Sequence, residues 1–254
     1  MDNFKDYAYY YNLIYNDKNY KEEAEQIASL LRKYGCTREN ATVLNLGCGT
    51  GRHDAELDKL GYHMTGIDMS EDMIQIAKGS SKLFEMNAEF EVSDIREYEP
   101  CKRYDAVISL FHVMSYQNEN EDVMKAFTTA AKALDKGGIF IFDAWYGPGV
   151  LSDKPSVRVK QVEDKENIVY RYAHPIMYAE ENIVDVCYDV LVINKKDATA
   201  KQIKEVHKMR YFFVPEVKML LEMAGFSFKV CLDCNTMNKT DYNSWTAFFI
   251  AEKR

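Results

Sequence analysis

Apolar residues along the chain fall into short β-branched runs that alternate with helical stretches. Residues 20–34 place Ala24, Ile27, Ala28, Leu30 and Leu31 on one helical face. Thr42–Leu46 reads as a buried strand, and His63–Ile67 as a second. Residues 88–94 alternate like a third, 104–110 form a buried fourth and 139–145 a fifth. Helices are predicted after Gly51, after Ser70 as an N-cap, and over residues 120–134. Between 146 and 213 the period changes to two. Residues 157–162, 168–172, 176–178, 183–193 and 206–213 alternate between turn-like breaks, as in an antiparallel meander. Pro215 and Gly225 bound a last helix, and residues 226–232 and 244–251 read as a closing antiparallel pair. The whole predicts an α/β chain: a Rossmann-like, doubly wound sheet of seven strands with an antiparallel β-meander insertion. Residues 1–145 and 214–254 would form one domain and residues 146–213 a β-rich insertion into it.

The first strand breaks into Gly47, Gly49 and Gly51, with Cys48 and Thr50 between them and Arg52, His53 and Asp54 following. Glycines here let the main chain turn with positive φ and approach a ligand closely. The unpaired N–H groups of the next helix favour a negatively charged ligand group. About twenty residues past the first glycine, the second strand ends in Asp68, an acid placed to accept hydrogen bonds from both hydroxyls of a ribose. A dinucleotide fingerprint needs its third glycine where this chain has Arg52. That argues against NAD and its pyrophosphate, and suits a nucleoside carrying an amino-acid tail.

This pattern resembles motif I of the class I S-adenosylmethionine (SAM) methyltransferases, with Asp68 as the motif II acid. The resemblance extends to the Ser70-capped helix and to Leu134, Gly137, Gly138 and Asp143 in an L-x-x-G-G-x-x-x-x-D arrangement. It implies that Gly47, Cys48, Gly49 and Gly51 cradle the methionine part of SAM, with Arg52, Met73 and Leu110 beside them. Met69, Asp94 and Ile95 would hold the adenine. Residues 1–20 carry Tyr7, Tyr9, Tyr10, Tyr11, Tyr15 and Tyr20, either as a surface helix or as a lid over the cofactor. Tyr11 to Tyr15 followed by Lys18 and Tyr20 is similar to the opening segment of small-molecule N-methyltransferases, which favours the lid and adds Tyr15 and Tyr20 to the cofactor contacts. Together with the stretch Phe111 to Tyr116 and the β-rich insertion, the chain looks like the nucleotide-sugar N,N-dimethyltransferases, which act on dTDP-linked aminodeoxysugars. One departure is Asn45, where that family often carries an acid; an amide keeps an acceptor and loses the charge.

Methyl transfer needs alignment, exclusion of water and, for a protonated acceptor, a base. His112, after the fourth strand, could take a proton or serve as a structural residue, and Tyr15 could help orient the acceptor. Tyr11, Tyr116, Trp145 and Tyr146 are candidate acceptor-pocket residues, Trp145 and Tyr146 by contact with a cationic amine. Arg171, His174 and Arg210 could meet an anionic group or simply lie on a solvated hairpin face. An N/D-P-P-Y/F tetrapeptide is absent after the fourth strand, which speaks against a nucleic-acid amine as substrate.

The 254 residues suffice for one large domain, or one with an insertion. A formal net charge of -8 disfavours a nucleic-acid partner. Of six cysteines only Cys231 and Cys234 have C-x-x-C spacing, with no second pair, so no metal is expected. No apolar stretch of membrane-spanning length or signal-peptide core is seen, and a cytoplasmic location follows. The expected activity is SAM-dependent methylation of a small molecule, a sugar-nucleotide amine first. Another small amine or hydroxyl acceptor, and a SAM-binding protein without catalysis, stay open. Either the N-terminal helix or the meander could form a homodimer face.

Overall fold

The computed structural model describes residues 13–15 and 17–254. Helix α1 (Tyr20–Tyr34) leads into β1 (Thr42–Leu46), α2 (Arg52–Lys59), β2 (His63–Asp68), α3 (Glu71–Leu83) and β3 (Ala88–Val92). Then come β4 (Tyr104–Ser109), a 3-10 turn (Val113–Tyr116), α4 (Asn120–Ala133) and β5 (Leu134–Tyr146). A short helix α5 (Gly147–Ser152) opens the meander β6 (Arg158–Glu163), β7 (Asn167–Tyr178), β8 (Ile183–Asn194) and β9 (Ala200–Phe212). Helix α6 (Val214–Met223), β10 (Phe226–Asp233) and β11 (Thr246–Lys253) close the chain.

Strands run in the order β3-β2-β1-β4-β5, all parallel. Strand β11 adds antiparallel to β5, and β10 antiparallel to β11. Side chains alternate across this sheet. Leu44, Leu46, Val107, Phe140, Phe142 and Phe249 face α4 and α6. Val43, Met64, Ala106, Ile108, Ile141 and Phe248 face α1 and Leu57 of α2. Phe142 and Phe249 stack at 5.1 Å in the first layer, and burial of each such ring contributes about 1.5–3 kcal/mol.

The meander is one antiparallel ladder, β6-β7-β8-β9, joined to the parallel sheet where Trp145 and Tyr146 pair with Tyr211 and Phe212. The strands differ from expectation at β7, β9 and β5. Residues 168–172 and 176–178 belong to a single strand that runs through Pro175. Pairing with β6 ends at Arg158 and Ala173, so at Pro175 the strand is an edge, where a missing N–H is tolerated. Strand β9 begins at Ala200, six residues earlier than its apolar alternation suggested. Strand β5 likewise extends back to Leu134; the expected glycine turn survives inside it, because pairing with β4 jumps from Leu134 to Ile139 around Gly137.

Candidate active site

The first wall of the central cavity is built by the loop after β1. Gly47, Gly49 and Gly51 all have positive φ, and the N–H groups of Gly47 and Cys48 both donate to Ile67 O at the end of β2. Asp68 completes the link. Its Oδ2 accepts from Gly49 N and its Oδ1 from Ser70 N, each at 2.9 Å. Burial pushes the Asp68 carboxyl above its ordinary range, against the pull of those two bonds. A Cβ on Gly49 would meet open space, so none of the described residues fills the volume in front of this backbone.

Beneath the loop lies a buried polar pair. Asn45 Nδ2 donates to Asp54 Oδ2 at 2.8 Å, while Asn45 Oδ1 and Asp54 Oδ1 have no partner among the described residues. Burial pushes the Asp54 carboxyl up to about 7, against the bond from Asn45. Asn45 lines the cavity, so its orphaned Oδ1 is an acceptor suited to the ammonium of an amino-acid tail. With ribose acceptors at Asp68 and open space at Gly49, the donor set fits SAM.

The roof comes from the N-terminal segment and α1. Tyr15 and Tyr20 line the cavity, and the Arg52 guanidinium lies 4.2 Å over the Tyr20 ring. Glu23 contacts the Lys18 ammonium and lies 2.7 Å from His53 Nε2. Burial acts to raise the Glu23 carboxyl, yet His53 and Lys18 bring it down to about 2. Tyr15 packs edge-on against Phe111 at 5.1 Å and accepts from Arg171 Nη1 at 3.0 Å. Tyr7, Tyr9, Tyr10 and Tyr11 lie outside the described residues.

The turn after β4 forms the floor. Phe111 and His112 both adopt left-handed φ, of 67° and 65°, which for such side chains stores strain. Asp143 of β5 holds it: His112 N donates to Asp143 Oδ1 at 3.0 Å, and His112 Nδ1 lies 2.7 Å from Asp143 Oδ2. The second contact is an ion-pair distance without hydrogen-bond alignment. Trp145 N donates to Ser115 Oγ and fixes the far side of the turn.

Facing the glycine loop is a wall of Tyr116, Trp145, Tyr188, His207 and Met209. Tyr188, His207 and Met209 come from β8 and β9, and with Phe111 and Val113 they were not among the expected site residues. Period-two alternation puts His207 and Met209 on the buried face of β9, but it does not say which cavity that face borders.

The cavity gathers Tyr15, Tyr20, Gly47, Cys48, Gly49, Arg52, Asp68, Met73, Leu110, His112, Tyr116 and Trp145 of the expected residues. Gly51 sits just behind, as the left-handed N-cap of α2. Several others stand away from the lining. Met69 is exposed, Asp94 is gripped by Arg96 through Nε and Nη2, and Ile95 is packed in the core. Tyr146 is half-buried against the same core, and His174 is exposed on β7. Arg210 is buried with bonds to Asn118 O, Asn120 Oδ1 and Glu216 Oε2. Among the described residues no group of three or more His, Cys, Asp or Glu could hold a metal ion, and no helix is long and apolar enough to cross a membrane.

Residues 43–138 match a family model described as a methyltransferase domain. The dTDP-3-amino-3,4,6-trideoxy-alpha-D-glucopyranose N,N-dimethyltransferase of Streptomyces venezuelae is 27% identical over 222 residues, covering 87% of this chain and 90% of that protein. An S-adenosylmethionine-dependent methyltransferase from Clostridium acetobutylicum has a similar structure, with a TM-score of 0.80 at 19% identity and 96% of each chain covered. The sugar N-methyltransferase KedS8 from Streptoalloteichus also has a TM-score of 0.80, at 20% identity, covering 96% of this chain and 92% of its own.

Proposed function

We propose that this chain, a SAM-dependent methyltransferase of class I fold, methylates the amino group of a nucleotide-linked aminosugar. The observation that carries this is the similarity to the dTDP-aminosugar enzyme over 222 residues, 87% of this chain, which is more than the SAM-binding part alone can supply. When bound, SAM supplies an electrophilic methyl group for in-line displacement by the amine. Gly47, Cys48, Gly49 and Gly51 face its methionine part, Asn45 Oδ1 accepts from its ammonium, and Asp68 accepts from the ribose. Tyr20, Arg52, Met73 and Leu110 complete the pocket, and the adenine end lies toward exposed Met69, while Asp94, held by Arg96, and Ile95, packed in the core, stand back from it.

Residues 146–213 are taken as the substrate-side insertion of the domain formed by 1–145 and 214–254. Trp145 and Tyr116 wall the acceptor, with Tyr15 and His112 orienting it; the aromatic lining suits an amine and excludes water. Arg171 holds Tyr15 in place. Arg210, whose bonds end on the protein itself, and exposed His174 drop out of the acceptor site. In this reading the acceptor is a free small molecule rather than nucleic acid, the enzyme is cytoplasmic, and a homodimer would pair through the N-terminal helix or the meander.

Calorimetry with SAM and S-adenosylhomocysteine, repeated with dTDP-aminosugars present, tests this. Cofactor binding strengthened by the nucleotide sugar, with N-methylated product by mass spectrometry, is the expected result. Cofactor binding with no response to any aminosugar rejects the acceptor.

A further inference from the structure

The acceptor wall contains a chain of three side chains, of which the reading above uses only Tyr116, and that as a wall. Alternation along β9 turns Ile203, Glu205, His207 and Met209 inward, while Lys204 and Lys208 are exposed. His207 Nε2 lies 2.9 Å from Glu205 Oε2, and His207 Nδ1 lies 2.7 Å from Tyr116 Oη. His207 is 3% exposed and the Glu205 side chain 8%. An ionised carboxylate only accepts, so with Glu205 charged and His207 neutral the ring hydrogen sits on Nε2. Nδ1 then presents its lone pair, and Tyr116 donates to it. Tyr116 and His207 both border the cavity, so the chain runs from its surface into the meander.

We propose that Tyr116 takes the proton of the methyl acceptor, with Glu205 and His207 acting through it as a built-in proton relay. This deepens the aminosugar reading and rests on it for the acceptor's chemistry. An amine arriving as its ammonium has no lone pair to offer, and each methylation leaves a further proton to remove. A phenol alone is a poor base near neutrality, and burial drives Tyr116 further up. Passing a proton through Tyr116 avoids any free phenolate. One N–H bond of the ammonium breaks and its electron pair stays on nitrogen. The proton joins Tyr116 Oη, and the proton Tyr116 already carried moves to His207 Nδ1. The resulting imidazolium is formed against the Glu205 carboxylate, so the new charge is paired as it appears.

Further aromatic and charged groups border the relay. Tyr188 of β8 lies edge-on to His207 at 4.8 Å. Arg171 of β7 stands 5.1 Å from the Tyr188 ring and 5.5 Å from that of Tyr15, and opposes a positive charge on His207. Asp68 acts on Tyr116 from the glycine-loop side, and with it favours positive charge nearby. Glu205, in direct contact, dominates.

The test is kcat against pH with saturating SAM and dTDP-aminosugar for the wild type, Tyr116→Phe and Glu205→Gln, joined to nitrogen NMR of histidine-labelled protein in complex with S-adenosylhomocysteine. Tyr116→Phe is expected to lower kcat on the order of a hundredfold while SAM affinity stays within about twofold of wild type. Glu205→Gln removes the charge that favours the imidazolium, so the acidic limb of the profile moves to lower pH by about one unit. The NMR spectrum should show one histidine protonated on Nε2 and bare on Nδ1, with both signals moved by either substitution. Variants that keep the wild-type kcat and pH profile overturn the relay. Turnover of a sugar hydroxyl in place of the amine, with the same losses in the variants, rejects the amine and supports the relay. Without turnover of any sugar the aminosugar reading falls and the NMR decides: a His207 signal indifferent to Glu205→Gln overturns the relay, and the expected response supports it.

Discussion

The two walls of the cavity are made in different ways. On the cofactor side the ligand would meet backbone: a glycine turn stitched to Ile67 O and to the Asp68 carboxylate, drawn from residues 45–70 of the chain. The acceptor side is all side chains, collected from five separate stretches around Tyr15, Tyr116, Trp145, Tyr188 and His207. A backbone wall recognises one ligand shape and tolerates little change. A side-chain wall can be re-cut position by position while the sheet beneath stays the same. One fold can therefore keep one cofactor and serve many acceptors.

Three substitutions probe that division. The largest effect is expected from Asp68→Ala, which removes the ribose acceptor and the tie on Gly49 and Ser70 together. Hydrogen bonds to charged groups are worth about 1.5–3 kcal/mol each, so SAM affinity should fall at least about a hundredfold by calorimetry. Retained affinity would remove Asp68 from the cofactor wall.

Next comes Asp54→Asn, which acts on the foundation of the same wall. The Asp54 pKa is raised from its ordinary 3.8 to about 7 in the fold. Between those values the unfolded chain releases a proton that the folded chain keeps, so this group costs stability progressively as pH rises through that window, and the cost levels off above it. The asparagine variant should match the wild type near pH 4 and exceed it at pH 8 by on the order of a few kcal/mol. Denaturant unfolding across that range is the measurement, and a difference independent of pH would show that Asp54 does not titrate as described.

The smallest effect belongs to Met209→Leu on the acceptor wall. A near-isosteric swap at a buried site costs below about 1.5 kcal/mol in stability. It should raise the acceptor KM a few-fold and leave SAM affinity unchanged. A change in SAM affinity of similar size would mean that the two walls are not separate.

What was legible in the sequence follows the same line. Gly47 and Gly49 announce their turn because positive φ selects glycine, and Asp68 is found by its spacing from them. Phe111 and His112 give no such signal: their left-handed turn is held from strand β5, where Asp143 Oδ1 accepts from His112 N and Trp145 N donates to Ser115 Oγ, each across some thirty residues. Asp54 looks like an ordinary first-turn acid, and only packing reveals it as buried beside Asn45. That pairing also bears on the missing acid at position 45, since a carboxylic acid stands one hydrogen bond behind the amide. Glu205 escaped because the expected strand began at Val206, after the residue that matters. Asp94 was expected on the adenine, whereas Arg96 holds its carboxylate.

The joint between β5 and β9 has a consequence for how such proteins diversify. Only two residue pairs, Trp145 with Tyr211 and Tyr146 with Phe212, carry the ladder from the parallel sheet into the meander. No residue between 147 and 210 pairs with the parallel strands, and the segment meets the rest of the chain through side chains such as Arg171, His207 and Arg210. The splice points for a chimaera are thus Tyr146 and Tyr211, and a transplanted meander would exchange the Tyr188, His207 and Met209 side of the acceptor wall while the recipient kept Tyr15, Tyr116, Trp145 and its cofactor side.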